Sequence, residues 1–193
     1  MTSSQPNPRG VHFVGSAPFS TTDEAFRVIS SALPKHIQRL PDGEPCSRGN
    51  FVAFQHGQFL PYPQLFNERF KQLLKISSPP PPVDTSTLET TYDTVAIESY
   101  KTFTALRSQG VIPPSVRFLV CIPTALNTLA SCIVPEYKPL VEPYYTAALR
   151  RAVDNIAAAI PHRDLAIQID CAQEFAMLEG LWKQPGMERF APW

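Results

Sequence analysis

The stretch LAIQID, at residues 165–170, decides the fold class of this chain. It is mostly apolar and ends on a carboxylate, which is typical of a strand that is buried on both faces of a parallel sheet. In such sheets, ligands bind at the carboxyl ends of the strands. We therefore expect a buried strand over 165–170, with Asp170 at the position of a functional acid.

Further strands and helices alternate upstream of this stretch. Apolar runs predict strands over 11–14, 37–40 and 116–122, and 51–59 is expected to be extended. Apolar residues at helical spacing predict helices; these begin at the capping box of Thr21 and Glu24, at Pro63, at Thr85 and at Pro143.

This alternation predicts an α/β fold with a parallel sheet. Two sheet types compete, a doubly wound open sheet and a (β/α)8 barrel. The GxGxxG fingerprint of a dinucleotide-binding sheet is absent after the first strand. The four strands amount to half of a barrel. We therefore expect β/α units of a TIM barrel, as a half or incomplete barrel.

The domain organisation follows from composition. Residues 1–10 are polar and predict a flexible N-terminus, 11–180 form the partial barrel domain, and 181–193 form an irregular C-terminal tail. Within the domain, the proline run at 77–83 predicts a stiff connector.

Charge and hydropathy exclude several classes of function. The 193 residues carry a formal net charge of zero, whereas nucleic-acid binding needs a basic patch. The most apolar window, 118–134, is interrupted by Pro123 and Asn127 and is too short to span a membrane. The four cysteines are scattered and the N-terminus lacks a signal-peptide pattern, so we expect a cytoplasmic protein with reduced thiols and no metal site.

Each of the four predicted strands is followed by residues that can carry chemistry. These are Gly15–Ser16, Asp42–Glu44, Thr124–Asn127 and Asp170. Backbone N–H groups around Gly15 and the Ser16 hydroxyl can hold a carboxylate, while Glu44 and Asp170 can hold an ammonium between two negative charges. Together they would recognise an amino acid. The alternative is that all of them are turn and helix-capping residues.

Four motifs in order resemble a known family. Val14-Gly15-Ser16 resembles the glycine-serine loop that opens the C-terminal barrel of cobalamin-independent methionine synthase, and Asp42-Gly43-Glu44 resembles its second-strand Gly-Glu motif. Residues 51–59 resemble the segment that follows, and 167–170 resemble its Gln-x-Asp strand. The resemblance spans about 11–178 and is nearest to the fungal UROD/MetE-like group, which is named after uroporphyrinogen decarboxylase and methionine synthase.

The resemblance implies a (β/α)8 barrel that binds homocysteine or a similar amino acid or small carboxylate at its C-terminal mouth. The matching positions are Val14, Gly15, Ser16, Glu44 and Asp170. Asp42 and Asn127, which follow predicted strands, are additional candidates for residues of the mouth. The synthase holds zinc through ligands on later strands, so we expect no cofactor in this chain, and zinc only if a C-terminal half supplies the ligands. Methionine synthesis by this chain alone is therefore not expected.

An incomplete barrel exposes a sheet edge and an apolar face, both of which favour association. We accordingly predict a homodimer, pairing with a complementary half-barrel, or a truncated gene product. Two other functions stay open at this point. One is a tailoring enzyme of fungal secondary metabolism, of the lyase, decarboxylase or transferase type. The other is a catalytically silent half-barrel that serves as an interaction subunit.

Overall fold

A computed structural model describes residues 10–50, 52–66 and 84–181 of the chain. The strands are β1 (Arg39–Pro41), β2 (Arg117–Pro123) and β3 (Leu165–Asp170). The α-helices are α1 (Thr22–Ala32), α2 (Tyr92–Ser108), α3 (Ala125–Cys132), α4 (Lys138–Ala159) and α5 (Gln173–Leu178). Short 3-10 helices span Cys46–Gly49, Ala53–Phe59, Pro63–Leu65 and Pro135–Tyr137. The predicted flexible N-terminus, proline connector and C-terminal tail lie outside the described residues, except for Gly10 and Leu181.

The strands form a parallel sheet in the consecutive order β1-β2-β3, which confirms an α/β fold with parallel pairing. The N-terminal strand predicted over 11–14 is reduced to one parallel bridge between Val11 and Ile37. The backbone N–H of Val11 donates to the His36 carbonyl at 2.7 Å, but Val14 is 72% exposed. Since apolar burial holds few of its side chains in place, this segment pairs at a single point.

The bounds of β3 agree with the prediction, but its burial does not. Leu165 is buried, whereas Ile167 and Ile169 are 37% and 54% exposed. The physical reason is that β3 is the outer strand of the described sheet, so β2 supplies neighbours on only one side. The apolar run of the sequence therefore correctly indicated a strand, while the expectation that both of its faces are buried was wrong.

The core lies between one face of the sheet and the long helices. Alternate residues of a strand point to opposite faces, and Phe118, Val120 and Ile122 of β2 all belong to the main core cluster. Phe103 of α2 packs its ring against Phe118 at 5.4 Å and against Phe26 of α1 at 5.6 Å. Helix α2 also contacts α4, so the three long helices cover the same side.

Four local predictions differ from the structure. Residues 53–59 form a 3-10 helix instead of an extended segment, because the Asn50 side chain accepts the Ala53 N–H and the turn buries Phe59. Helix α4 begins at Lys138 with Pro139 in its first turn, so Pro143 lies inside the helix. Helix α2 begins at Tyr92, later than predicted. The expected 63–75 helix is described only to 66, with a 3-10 turn over Pro63–Leu65.

In the part of the chain that the structure describes, we find no helix with the length and hydropathy needed to cross a bilayer.

Candidate functional site

The loop after β1 holds Asp42 and Glu44, both of which are 7% exposed. Gly43 has φ +80, and a Cβ there would lie 2.8 Å from the Ala25 Cβ, so the turn requires glycine. Glu44 itself has φ +49, which is uncommon for a residue other than glycine. With this left-handed backbone conformation, the Glu44 side chain lies beside Ser16.

Asp42 holds this loop in place. One carboxylate oxygen accepts the Glu44 backbone N–H at 3.0 Å, while the other accepts the Ser99 hydroxyl of α2 at 2.6 Å. The second oxygen also forms an ion pair with Arg48 at 2.8 Å. Both oxygens are thus bound within the protein, so Asp42 positions Glu44, as a turn residue does.

The structure brings Gly15, Ser16 and Glu44 together. The Ser16 hydroxyl donates to the Glu44 carboxylate at 2.5 Å, and a Cβ on Gly15 would lie 3.7 Å from the same oxygen. Burial raises the pKa of the Glu44 carboxyl, and the negative charges of Asp42 and Asp170 raise it further. The Ser16 hydrogen bond and the charge of Arg48 oppose this rise without cancelling it.

The side chain of Gln168 joins the N-terminal segment to β3. Its amide nitrogen donates to the Val14 carbonyl at 3.0 Å and to one Asp170 oxygen at 2.6 Å, and its oxygen lies 2.7 Å from His12 Nε2. Val14 therefore contributes its backbone carbonyl, and not its side chain, to the contact with Gln168. Gln168 belongs to the Gln-x-Asp motif, but no role was predicted for it. The period-two alternation with Asp170 was the available signal, since it places both on one face of β3.

Asp170 carries an oxygen that is left without a partner. Its Oδ1 accepts from Gln168, whereas Oδ2 is buried and has no hydrogen-bond partner among the described residues. Burial raises the pKa of this carboxyl, while the Gln168 hydrogen bond and the charge of His12 act in the opposite direction. A buried, unpaired acceptor is costly, and an opposite charge nearby would offset part of that cost.

An open cavity of about 410 Å³ lies at the carboxyl ends of β2 and β3, and Asp170 and Asn127 line it. Asn127 joins the two strand ends, because its amide donates to the Asp170 carbonyl and to the Thr124 hydroxyl, each at 2.8 Å. Its oxygen accepts the Gln173 N–H at 3.1 Å. Asn127 therefore caps helices and shapes the wall of the cavity.

Glu44 and Asp42 line a different cavity, of about 30 Å³, which holds roughly one water. The predicted residues are thus divided between two spaces. Asp42 and Glu44 line the small cavity, and Asp170 and Asn127 line the larger one. Gly15 and Ser16 lie against the Glu44 carboxylate but line neither cavity. The link between them is Gln168, together with the charge of Asp170 acting on Glu44.

Replacing Glu44 with glutamine is expected to stabilise the protein near neutral pH. The raised folded-state pKa means that folding favours the protonated carboxyl, so this contribution is present at low pH and is lost as the pH rises through the folded pKa. E44Q removes the buried charge and should raise the free energy of unfolding by about 0.5 to 2 kcal/mol. Urea unfolding at neutral pH measures this difference.

The matched control is Glu98→Gln, which changes a side chain that is 72% exposed and should alter the stability little. The difference in the free energy of unfolding between E44Q and wild type should shrink in acid, because the wild-type carboxyl is then protonated and uncharged, like the glutamine amide. A destabilised E44Q at neutral pH would show that Glu44 gains more from its partners than it loses by burial.

Across 10–50, 52–66 and 84–181, no group of three or more His, Cys, Asp or Glu side chains could hold a metal ion. The four cysteines are free. Burial raises the pKa of the Cys132 thiol to about 12, which keeps it protonated at neutral pH and so a poor ligand.

Comparison of the chain with models of protein families, with curated proteins and with solved structures finds no match. The resemblance to cobalamin-independent methionine synthase therefore stays a prediction that rests on the four sequence motifs.

Proposed function

We propose that this chain is a UROD/MetE-like half-barrel that binds a small molecule bearing an amino group at the carboxyl ends of its strands. Amino acids of the homocysteine type are the first candidates. The observation that carries the proposal is Asp170, which lines a cavity of about 410 Å³ and has one carboxylate oxygen without a hydrogen-bond partner among the described residues. An ammonium group in that cavity would supply the opposite charge.

The strand order supports the half-barrel part of the proposal. Strands that follow each other in the chain are neighbours in the sheet, and the Val11–Ile37 bridge extends this order by one segment. A barrel has this consecutive order, whereas a doubly wound sheet reverses its order at a switch point. The long helices on one side of the sheet agree with the outer layer of a barrel.

Isothermal titration tests the proposed function. We expect heat on addition of L-homocysteine, L-methionine or the amine that lacks the methionine carboxylate, methylthiopropylamine, and loss of at least about 30-fold in affinity in Asp170→Asn. The control Asp23→Asn, which changes a half-exposed carboxylate, should bind as wild type does. Absence of heat with all three compounds, or equal binding by folded D170N, would exclude the proposal.

A second candidate function is that of an interaction subunit without catalysis, which pairs with a copy of itself or with a complementary half-barrel. The favouring observation is the exposure of apolar side chains: Ile167 and Ile169 on the outer strand, and Phe175 and Leu178 of α5, which are 63% and 56% exposed. An outer strand with apolar side chains invites pairing.

For this candidate, sedimentation velocity over a range of concentrations should detect a dimer of the full chain. Ile169→Lys places a charge on the outer strand and should weaken the dimer by at least about tenfold, since an unpaired buried charge is costly. Val28→Lys, at a residue of α1 that is 43% exposed, is the matched control. A monomer at every concentration contradicts self-association.

A further inference from the structure

The lining of the 410 Å³ cavity contains one carboxylate and, among the described residues, neither lysine nor arginine. The carboxylate is Asp170. The rest of the wall is formed by uncharged polar groups such as Asn50 and Asn127, by the apolar Val52 and Ala53, and by His56. The described lining of the cavity therefore carries a negative charge, which favours a cation and disfavours an anion.

His56 does not change this balance at neutral pH. Burial lowers the pKa of its imidazole, so the ring is uncharged there. A ligand carboxylate in the cavity would consequently meet no positive side chain of the described lining. A ligand carboxylate without a positive partner is unfavourable beside Asp170, because the two negative charges repel each other.

Two groups near Glu44 that could hold a ligand carboxylate are occupied: the Ser16 hydroxyl, which the sequence predicted for this role, and the Arg48 guanidinium. The Ser16 hydroxyl donates to Glu44 at 2.5 Å, and the guanidinium of Arg48 pairs with Asp42 at 2.8 Å. Arg48 lines the small cavity beside Glu44, and not the larger one beside Asp170. Neither group is therefore placed to receive an anion beside Asp170.

We infer that the cavity selects a small primary amine with an uncharged, partly apolar body over the zwitterion of an amino acid. The ammonium pairs with the negative charge of Asp170, and the body of the ligand contacts Val52, Ala53 and Ala172. This inference rests on the proposed function, because the same carboxylate receives the amino group. The inference adds the class of ligand to the proposed function: the cavity discriminates against ligands that carry a carboxylate of their own.

Four ligands that share the side chain of methionine and differ in their amino and carboxyl groups test the inference on the wild-type protein. They are methylthiopropylamine, L-methionine, L-methionine methyl ester and methylthiobutyrate, which lacks the amino group. Titration calorimetry should show that the amine and the ester bind at least about tenfold more tightly than L-methionine, and that methylthiobutyrate gives no heat. Asp170→Asn should weaken the amine and the ester alike, whereas the control Asp23→Asn should not.

The possible failures are distinguishable. Tighter binding of L-methionine than of the amine would show that the site recognises the carboxylate, which overturns this inference and leaves the proposed function standing. Absence of binding by all four compounds, or binding that is unchanged in folded D170N, overturns both. Because the ligand comparison uses wild-type protein, its outcome does not depend on whether a variant folds.

Discussion

Replacing Phe103 with alanine is expected to lower the free energy of unfolding by about 3 to 5 kcal/mol. Phe103 is fully buried in α2, and its ring contacts Phe26 of α1, Phe118 of β2 and Tyr100 at centroid distances of 5.6, 5.4 and 6.0 Å. The guanidinium of Arg107 lies 4.6 Å from the ring centroid. Truncation leaves a cavity at the point where two helices meet the sheet.

Urea unfolding followed by circular dichroism measures this loss. Phe175→Ala is the matched control, because Phe175 is 63% exposed and its truncation should cost under about 0.5 kcal/mol. Phe103→Leu should lower the free energy of unfolding by less than Phe103→Ala does, because leucine fills part of the volume of the phenylalanine ring. A loss below about 1 kcal/mol for F103A would contradict the packing of α1 and α2 against the same face of the sheet.

Replacing Asp164 with alanine should have the second-largest effect, a loss of about 2 to 3 kcal/mol at neutral pH. Asp164 is 14% exposed, pairs with Arg107 at 2.8 Å and accepts the Tyr100 hydroxyl at 2.7 Å. Arg107 also donates to the carbonyl of Val116, the residue before β2. Removing the Asp164 carboxylate leaves the mostly buried guanidinium of Arg107 and the hydroxyl of Tyr100 without this acceptor.

The pH dependence of this variant follows from the pKa of Asp164. Burial alone would raise the pKa, but hydrogen bonds from Tyr100 and Arg107 and the charges of Arg107 and Arg163 outweigh it and lower the pKa below 3.8. The stability from Asp164 is therefore fully present above the unfolded-state value and is lost as the pH falls through the lower folded value. Wild type and D164A should converge in strong acid.

Unfolding curves at several pH values test this expectation, with Asp23→Ala as the control. Asp23 pairs with Arg27 at 2.7 Å, but both side chains are about half exposed, so this variant should lose at most about 0.5 kcal/mol. If D164A and D23A lost equal stability at neutral pH, the buried network of Arg107 and Tyr100 would not stabilise the fold.

Local patterns in the sequence predicted the elements that depend on short-range chemistry. The capping box at Thr21 and Glu24 begins α1, with the Glu24 N–H donating to the Thr21 hydroxyl oxygen at 3.1 Å. The run at 165–170 is a strand with the predicted bounds. Helix α3 was missed, although Thr124 caps it by accepting from Asn127, because its residues had been interpreted as site residues alone.

The candidate site was predicted in part. Sequence order placed Asp170 and Asn127 at strand ends, and both line the larger cavity. The amide of Gln168 and the turn that buries Glu44 depend on contacts across 28 to 154 positions of the chain, which no local pattern contains. The unpaired Oδ2 of Asp170 is likewise visible only after every neighbouring donor has been placed.

The sequence by itself determined the alternation of strands and helices, the bounds of β3 and the presence of carboxylates after its strands, because hydrophobic period and capping act over a few residues. Tertiary structure alone decided that Ile169 is exposed, that Ser16 binds Glu44, and that Asp170 faces a cavity whose described lining lacks lysine and arginine. Burial and charge at a point sum over distant segments, so they exist only once the chain has folded.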